Sequence, residues 1–596
     1  MAHPICFRNF VYMSDPEIKT YPQNVCQMFF RARLVEILHK STLDSHRVRT
    51  HNAHTLVNEL LSLIDQWRNG NIKQFETVEL CARETKNKIE TDAVYLSDYP
   101  HKKVLSDYLD AFIKEGKTKP SFCERIKHLL EELLLNTKSQ KYISNLLSEI
   151  KDLTSLLPFE GIKECQLMDN LHKLDCLISS LCSELIYIGF SKSYLYTCAK
   201  NFKIKNFSDS YEKFVSLINL ENKKDYIIIF KLSVSRTEAD VDLPEFSKLY
   251  PEEYKTEWVI NRRPNFITSL NNQRFYSVNV KSYDEFAAIK QAKEKLSNHL
   301  DRIHFALHNS KMIPLLSALV LEKRGEILYV SDHSTLPILD SINQEEQTRI
   351  NIIQDRLNAI HASNNITTDV TNRINAALRH LRIGDADTEI EQRFINYWIA
   401  LEFLFSTPIA SDSTFGRIKD NLVSILVSCY GKRNLLAIDA QVKSIAKGIE
   451  IPHIWEKDAI SDIKDRIKLP ILLEYRLNRY STHILSNKEK DIRKYLELHK
   501  QNVTWQIARI YRLRNELIHE AAIKQDIESL ASNLRYYLIF ILNQAVRFFS
   551  SRIGSIMSRK YDMESFFMHF DLMRAAIEKE PSISGVLSYG DLEDNI

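Results

Sequence analysis

The run Trp505–Ala522, W-Q-I-A-R-I-Y-R-L-R-N-E-L-I-H-E-A-A, brings together an arginine, a neighbouring amide and a histidine: Arg514, Asn515 and His519. A histidine exchanges protons near neutral pH, and an arginine stays charged and can hold two phosphate oxygens at once. These residue types could carry out proton transfer at a phosphate with no metal ion and no covalent enzyme group. Their spacing sets a condition. Ile507, Ile510, Leu513 and Leu517 recur at three- and four-residue steps, the mark of a helix with one buried stripe. At about 100° per residue, Tyr511, Asn515 and His519 share a second stripe, while Arg514 and His519 project roughly 140° apart. On one straight helix they cannot form a compact pair. Either the helix distorts near its end, or a second copy of the chain supplies part of the site. Ile518 lies close in angle to Tyr511 and leaves apolar surface that a partner could cover.

Upstream, Phe394-Ile-Asn-Tyr-Trp398-Ile-Ala-Leu-Glu402-Phe-Leu-Phe405 carries an aromatic-x-A-L-E-x-L pattern, and Tyr511-Arg-Leu-Arg514-Asn515 a Y-x-x-R-N step into the histidine. Over residues 387–550 the chain resembles the HEPN superfamily, in its ApeA-like branch. These are small helical bundles whose R-x(4–6)-H motif often marks a metal-independent endoribonuclease. Two features depart from the simplest pattern: Glu520 follows the histidine where glycine is common, and a long insertion separates the early helices from the motif helix.

The resemblance implies a division of labour. RNA carries its own nucleophile, the 2′-hydroxyl. His519 would serve in proton transfer and Arg514 would bear charge on the phosphorane, while Asn515 would orient the imidazole or the ribose. The products would be a 2′,3′-cyclic phosphate and a 5′-hydroxyl, with no cofactor and no metal. The family usually builds its cleft at a two-fold interface, so a homodimer is expected. Glu402 and Tyr511 are supporting candidates: Glu402 either pairs with Arg514 or is a plain surface glutamate. Arg379, Arg382 and Arg512 are candidate RNA contacts, the first two within a basic cluster with Arg373 and His380 that either neutralises phosphates or is a solvated helix face.

The surrounding composition narrows the function classes. The 596 residues are 44% hydrophobic and 26% charged, too long for one core. Only 12 glycines favour long helices and leave no phosphate-cradling glycine loop. The net charge of +3 is no polycation, so nucleic acid would need a local patch. No signal-like N-terminus or membrane-length apolar run is present, which predicts a cytoplasmic protein without membrane partners. Nine cysteines without C-x-x-C pairing read as free thiols, Cys176 and Cys182 in the core. His46, His51 and His54 read as a solvated loop cluster. His304-x-x-x-His308 has zinc-ligand spacing, but Phe305 stands where a metalloprotease needs glutamate.

The fold expected is mainly α: a helical N-terminal region (1–220), a small central α+β domain (221–343), a C-terminal HEPN-type helical bundle (344–560) with an insertion at about 431–500, and a tail (561–596). Within it, Asn52 caps a helix that Asn69-Gly70 ends, and Ser121-x-x-Glu124 and Ser282-x-x-Glu285 read as capping boxes. Strands are expected at Tyr226–Val234, Thr256–Ile260, around Tyr276–Val280 and at Ile327–Val330. A second bundle helix should run from Thr414 to Tyr430, after a break at Pro408. Arg262-Arg263 could touch phosphate but reads as solvated.

The leading expectation is a metal-independent endoribonuclease acting in anti-phage (abortive-infection) defence or as a toxin. Transfer RNA anticodon loops are the substrate suggested by family analogy, and residues 1–340 would sense a phage-derived or regulatory trigger. The competing reading is a non-catalytic HEPN module binding RNA or nucleotide, or a helical adaptor. A metal-dependent nuclease finds no clustered Asp/Glu/His motif.

Overall fold

The structure, a computed structural model, describes residues 25–39, 51–72, 74–96, 102–155, 164–221, 223–234, 243–249, 266, 272–306, 312–322, 327–331, 344–387, 389–406, 414–456, 458–486, 488–519, 527–554 and 560–589. The expected strand Thr256–Ile260, Arg262-Arg263, His46, His308 and the break at Pro408 lie outside them. The chain is mainly helical with one small antiparallel sheet, and it divides into two compact units. One comprises Met1–Ile37, Ser41–Glu184 and Leu339–Ile596; the other comprises Leu38–Lys40 and Leu185–Ile338. The N-terminal helices therefore share a unit with the C-terminal bundle, and the central unit begins near Leu185 rather than at residue 221.

In the first unit the N-terminal region forms α1 (Val25–Leu38), α2 (Ala53–Arg68), α3 (Phe75–Thr91), α4 (Lys102–Glu115), α5 (Pro120–Asn136), α6 (Ser139–Ser155) and α7 (Glu164–Tyr187), with the unit boundary falling inside α7. Helix α2 starts as its sequence requires. Asn52 Oδ1 accepts from the Thr55 amide at 2.9 Å, and Thr55 Oγ1 accepts from the Asn52 amide at 3.0 Å. It ends at Asn69, where Gly70 takes φ +79°, a conformation that favours glycine. Helix α5 differs from expectation: Pro120 occupies its first turn, no side chain caps it, and Ser121 lies inside the helix. Proline supplies the start instead, because its fixed φ suits the first turn and its missing N–H would be unpaired there anyway.

The second unit holds α8 (Lys192–Lys200), α9 (Phe207–Leu217), α10 (Glu285–Ala306) and strands β1 (Lys224–Val234), β2 (Ser247–Leu249), β3 (Gln273–Ser282), β4 (Met312–Glu322) and β5 (Ile327–Ser331). The sheet order is β2-β3-β1-β4-β5, and β1 pairs antiparallel with both β3 and β4. Tyr226, Ile228, Phe230 and Leu232 alternate onto the face covered by Ala288, Ile289, Ala292 and Leu296 of α10. Asp284 caps α10, not Ser282: its Oδ1 accepts from the Ala287 amide at 2.8 Å, while Ser282 closes β3. Strand β4 is not among the strands the sequence predicts, and its Pro314 is unusual inside a strand. It is accommodated beside a register shift in the β1 pairing and beyond the stretch paired with β5.

The remainder of the first unit runs α11 (Gln344–Ala362), α12 (Thr368–Ala386), α13 (Ile390–Phe405), α14 (Thr414–Ala446), α15 (Ala459–Arg466), α16 (Ile471–Tyr480), a π turn (Ser481–Leu485), α17 (Glu489–His519), α18 (Ile527–Ser550), α19 (Met563–Lys579) and α20 (Ile583–Tyr589). Two apolar cores form here. The first takes Phe394, Trp398 and Leu401 of α13, Phe415 and Leu422 of α14, Ile507 and Ile510 of α17, and Leu534 and Leu538 of α18. The second gathers Leu435 and Val442 of α14 with Leu473, Leu477, Ile492 and Leu496. Helices α14 and α17 each contribute to both. Gly431 does not end α14; it is buried mid-helix where an added Cβ would lie 2.5 Å from Val586 Cγ1 of α20. The expected insertion is thus continuous with the bundle through two long helices.

Among the described cysteines, Cys26, Cys81, Cys123, Cys182 and Cys429 are buried, Cys176 and Cys198 are half-buried, and all of these are free thiols. No described helix is long and apolar enough to cross a membrane.

Candidate functional site

Helix α17 carries the motif, and its apolar stripe decides where the polar residues fall. Ile507, Ile510 and Leu513 are buried in the first core and Leu517 packs against it. That anchors the helix and leaves Arg514 and Asn515 half-buried, with Ile518 exposed. His519 is the last residue of α17; its side chain and residues 520–526 lie outside the described residues.

Arg514 is held from α13. Its Nη2 lies 3.3 Å from Glu402 Oε1, and its Nη1 donates to Asn515 Oδ1 at 3.1 Å. Glu402 is therefore a partner of the arginine rather than a plain surface carboxylate. The same Glu402 oxygen accepts from the Trp398 indole N–H at 2.6 Å. The i to i+4 spacing of Trp398 and Glu402 stacks their side chains on one helix face, so a buried tryptophan orients the carboxylate that orients the arginine. Trp398 is not among the site residues the sequence suggests; its i to i+4 spacing to Glu402 is the signal that could find it. The Arg514 and Glu402 side chains are 24% and 30% exposed, which leaves the guanidinium open to solvent on one side. Arg514 Nε has no hydrogen-bond partner among the described residues.

Asn515, expected to orient the histidine or a ribose, uses its carbonyl oxygen to accept from Arg514. Tyr511 lies beneath the site. Its ring stacks on Phe415 at 4.4 Å between centroids and tilts against Trp398 at 5.8 Å. It supports the helix by packing.

Neither a family model nor a curated protein nor a solved structure matches the chain. The site is therefore read from its own chemistry.

The expected RNA contacts separate. Arg379 and Arg382 are exposed on α12. Arg512 is not available to a ligand: its side chain is 6% exposed, Nη1 donates to the Thr77 carbonyl at 3.1 Å, and Nη2 pairs with Glu59. It points into the seam where α2 and α3 cover α17. Arg509 fills the same seam, bound to Glu59 at 2.9–3.1 Å and to Glu84 at 2.7 Å.

The histidines near α2 also differ from expectation. His51 and His54 belong to the interior rather than to a solvated loop, because the Asn52 cap carries the first turn of α2 into the core. His54 Nδ1 lies 2.9 Å from the fully buried Glu184 carboxylate. His51 sits 3.7 Å from Glu59. Burial, reinforced by Arg509, pushes the His51 imidazole down to about 3, so it is neutral beside a carboxylate already taken by two arginines.

A second charged seam ties the N-terminal helices to the insertion. Arg33 bonds Asp175 at 2.6 Å and Glu36 at 2.7 Å. Tyr475 of α16 donates to Asp175 at 3.2 Å, and Arg476 pairs with Glu36. Among the described residues, no three His, Cys, Asp or Glu side chains converge as metal ligands.

Proposed function

We propose that the chain is a metal-independent endoribonuclease of the HEPN kind. The observation that carries this reading is the tethering of Arg514, partly exposed, through Glu402 and Trp398 on the helix that His519 closes. A pre-positioned guanidinium can bear the charge of a phosphorane without reorganising. In the proposed step, the ribose 2′-oxygen attacks phosphorus as its proton leaves to a base. The bond to the 5′-oxygen breaks and that oxygen takes up a proton, leaving a 2′,3′-cyclic phosphate and a 5′-hydroxyl. His519 performs one of the two proton transfers. Arg514 and His519 are five residues apart on the helix, so a second copy of the chain completes the site, with the exposed Ile518 at the contact.

Single-stranded loops, those of transfer RNA among them, are the substrates that permit in-line attack. Control of such an enzyme in anti-phage defence, or as a toxin, would act through the N-terminal helices, which bury Arg509 and Arg512 directly behind the motif. A second reading is favoured by one observation: Arg514 is already engaged by Glu402 and Asn515, as in a module that binds RNA or nucleotide without cutting it.

The deciding experiment sequences 5′-hydroxyl RNA ends from cells expressing the intact chain or its His519→Ala variant, with and without phage challenge. Ends clustered in defined loops and absent from the variant are expected. Identical profiles in every condition would remove the nuclease reading in favour of the binding module.

A further inference from the structure

One residue beyond Glu402, Phe403 is 40% exposed, an unusual position for a phenyl ring in a packed bundle. It lies over the α12–α13 hairpin, and its ring is stacked on the His380 imidazole with centroids 5.4 Å apart and planes 29° from parallel. The imidazole is itself fixed. Asn396 Nδ2 donates to the Gln392 carbonyl at 2.9 Å, which leaves Asn396 Oδ1 to accept from His380 Nδ1 at 3.0 Å. From below, Arg373 Nη1 donates to the Phe403 carbonyl at 3.2 Å. The pair is a preformed aromatic shelf with a face open to solvent.

The charge beside it is uncompensated. Asp369, Asp385 and Glu402 are each engaged by an arginine: Arg373, Arg535 and Arg514 respectively. Arg379 and Arg382 are exposed and have no carboxylate partner among the described residues. Arg379 directly precedes His380 on α12, and Glu402, which holds Arg514, directly precedes Phe403 on α13, so each ring has a cation-bearing neighbour. Arg382 projects roughly 160° from His380 around α12 and faces away from the shelf. A single strand of nucleic acid alternates phosphates with bases, and its bases stack on aromatic side chains.

We propose that His380 and Phe403 form a base-stacking subsite for a single-stranded ribonucleotide flanking the phosphate held at Arg514, with Arg379 neutralising an adjacent phosphate. The proposal rests on the RNA reading above and adds a position on the strand that is gripped by its base. Stacking tolerates any base, so the subsite favours unpaired nucleotides over a particular sequence.

The test uses the full-length chain and a short single-stranded RNA methylated at every 2′-oxygen, which has no nucleophile and cannot be cut. Phe403→Ala should weaken binding about tenfold, the order expected for loss of one stacked base. Phe403→Trp should retain binding. The decisive arm repeats the titration with a probe lacking bases at successive positions. At one position the wild-type chain should lose affinity while Phe403→Ala loses no more. Charge reversal at Arg379 should weaken every probe and flatten the salt dependence.

Equal binding of all probes by wild type and Phe403→Ala would overturn the proposal, as would failure of the wild type to bind. A change in oligomeric state with RNA binding untouched would also overturn it, making the ring a contact between protein copies. Because the probe cannot be cleaved, loss of the nuclease reading would appear separately, as 5′-hydroxyl ends that do not depend on His519.

Discussion

Glu59 grips Arg509 through both carboxylate oxygens, at 3.0 and 2.9 Å, across 450 residues of sequence. Glu84 takes the same guanidinium at 2.7 Å, and Arg512 joins Glu59 one helical turn further along α17. The arginines oppose the cost of burial, and the Glu59 carboxyl stays well below its usual range. The seam lies on the helix that carries Arg514, so the N-terminal helices are built into the proposed site's foundation. Removing one partner of such a cluster leaves uncompensated charge in the interior. Glu59→Ala should therefore destabilise the first unit by about 3–5 kcal/mol, read from chemical denaturation. Adding Arg509→Met and Arg512→Met should recover part of the loss, and no recovery would count against buried charge as the cause.

The same seam gives stability a pH dependence of definite sign. His51 titrates at about 3 in the folded chain against an ordinary 6.5, so the unfolded chain binds the proton more tightly. Stability should fall as pH drops from about 6.5 towards 3. Glu59 is shifted downward as well. Its contribution is complete above the ordinary carboxylate range and is lost as pH falls through the folded value, which steepens the acid end. Melting temperatures across this window should show a shallower slope for His51→Asn. An unchanged slope would assign the acid sensitivity to other groups.

These relationships show what could be read in advance. The period of Ile507, Ile510 and Leu513 announced the buried stripe of α17, the Asn52 cap announced α2, and alternation at Tyr276–Val280 announced β3. Each is local. Arg509 and Arg512 occupy a face that local rules assign to solvent, because only carboxylates on distant helices make their burial affordable; Arg509 and Glu84 are 425 residues apart. The histidine of the motif was legible as a residue type, and so was the possible pairing of Arg514 with Glu402. The indole bond from Trp398 that orients this carboxylate had one local sign, the i to i+4 spacing, but a tryptophan in an apolar helix signals core before it signals a donor.

The Arg514–Glu402 pair separates function from stability. Both side chains are part-exposed, so the pair itself should be worth less than about 1 kcal/mol. Its geometric role is larger, because a misplaced catalytic group can cost up to about a hundredfold in rate. Glu402→Ala should leave the denaturation midpoint nearly unchanged and sharply reduce accumulation of His519-dependent 5′-hydroxyl ends. Glu402→Gln, which keeps an acceptor for Trp398 and Arg514, should retain more. Unfolding by Glu402→Ala would recast the residue as structural.

Gly431 tests whether the tail belongs to the bundle. Alanine would normally strengthen a helix interior by about 1 kcal/mol relative to glycine. Here its Cβ would meet Val586 Cγ1 at 2.5 Å, and a β-branched side chain has few rotamers in which to retreat. Overpacking of this kind costs roughly 1–3 kcal/mol, so the clash should win and the loss should fall on the docking of α20. Gly431→Ala should speed proteolytic removal of residues beyond Lys579 while the rest of the chain resists. Combining it with Val586→Ala removes the offending methyl groups and should restore the helix gain, though at the expense of some packing in the second core. If Gly431→Ala protects the tail instead, α20 has room to shift outward, and the close approach of α14 and α20 is a consequence of the glycine rather than a requirement of the fold.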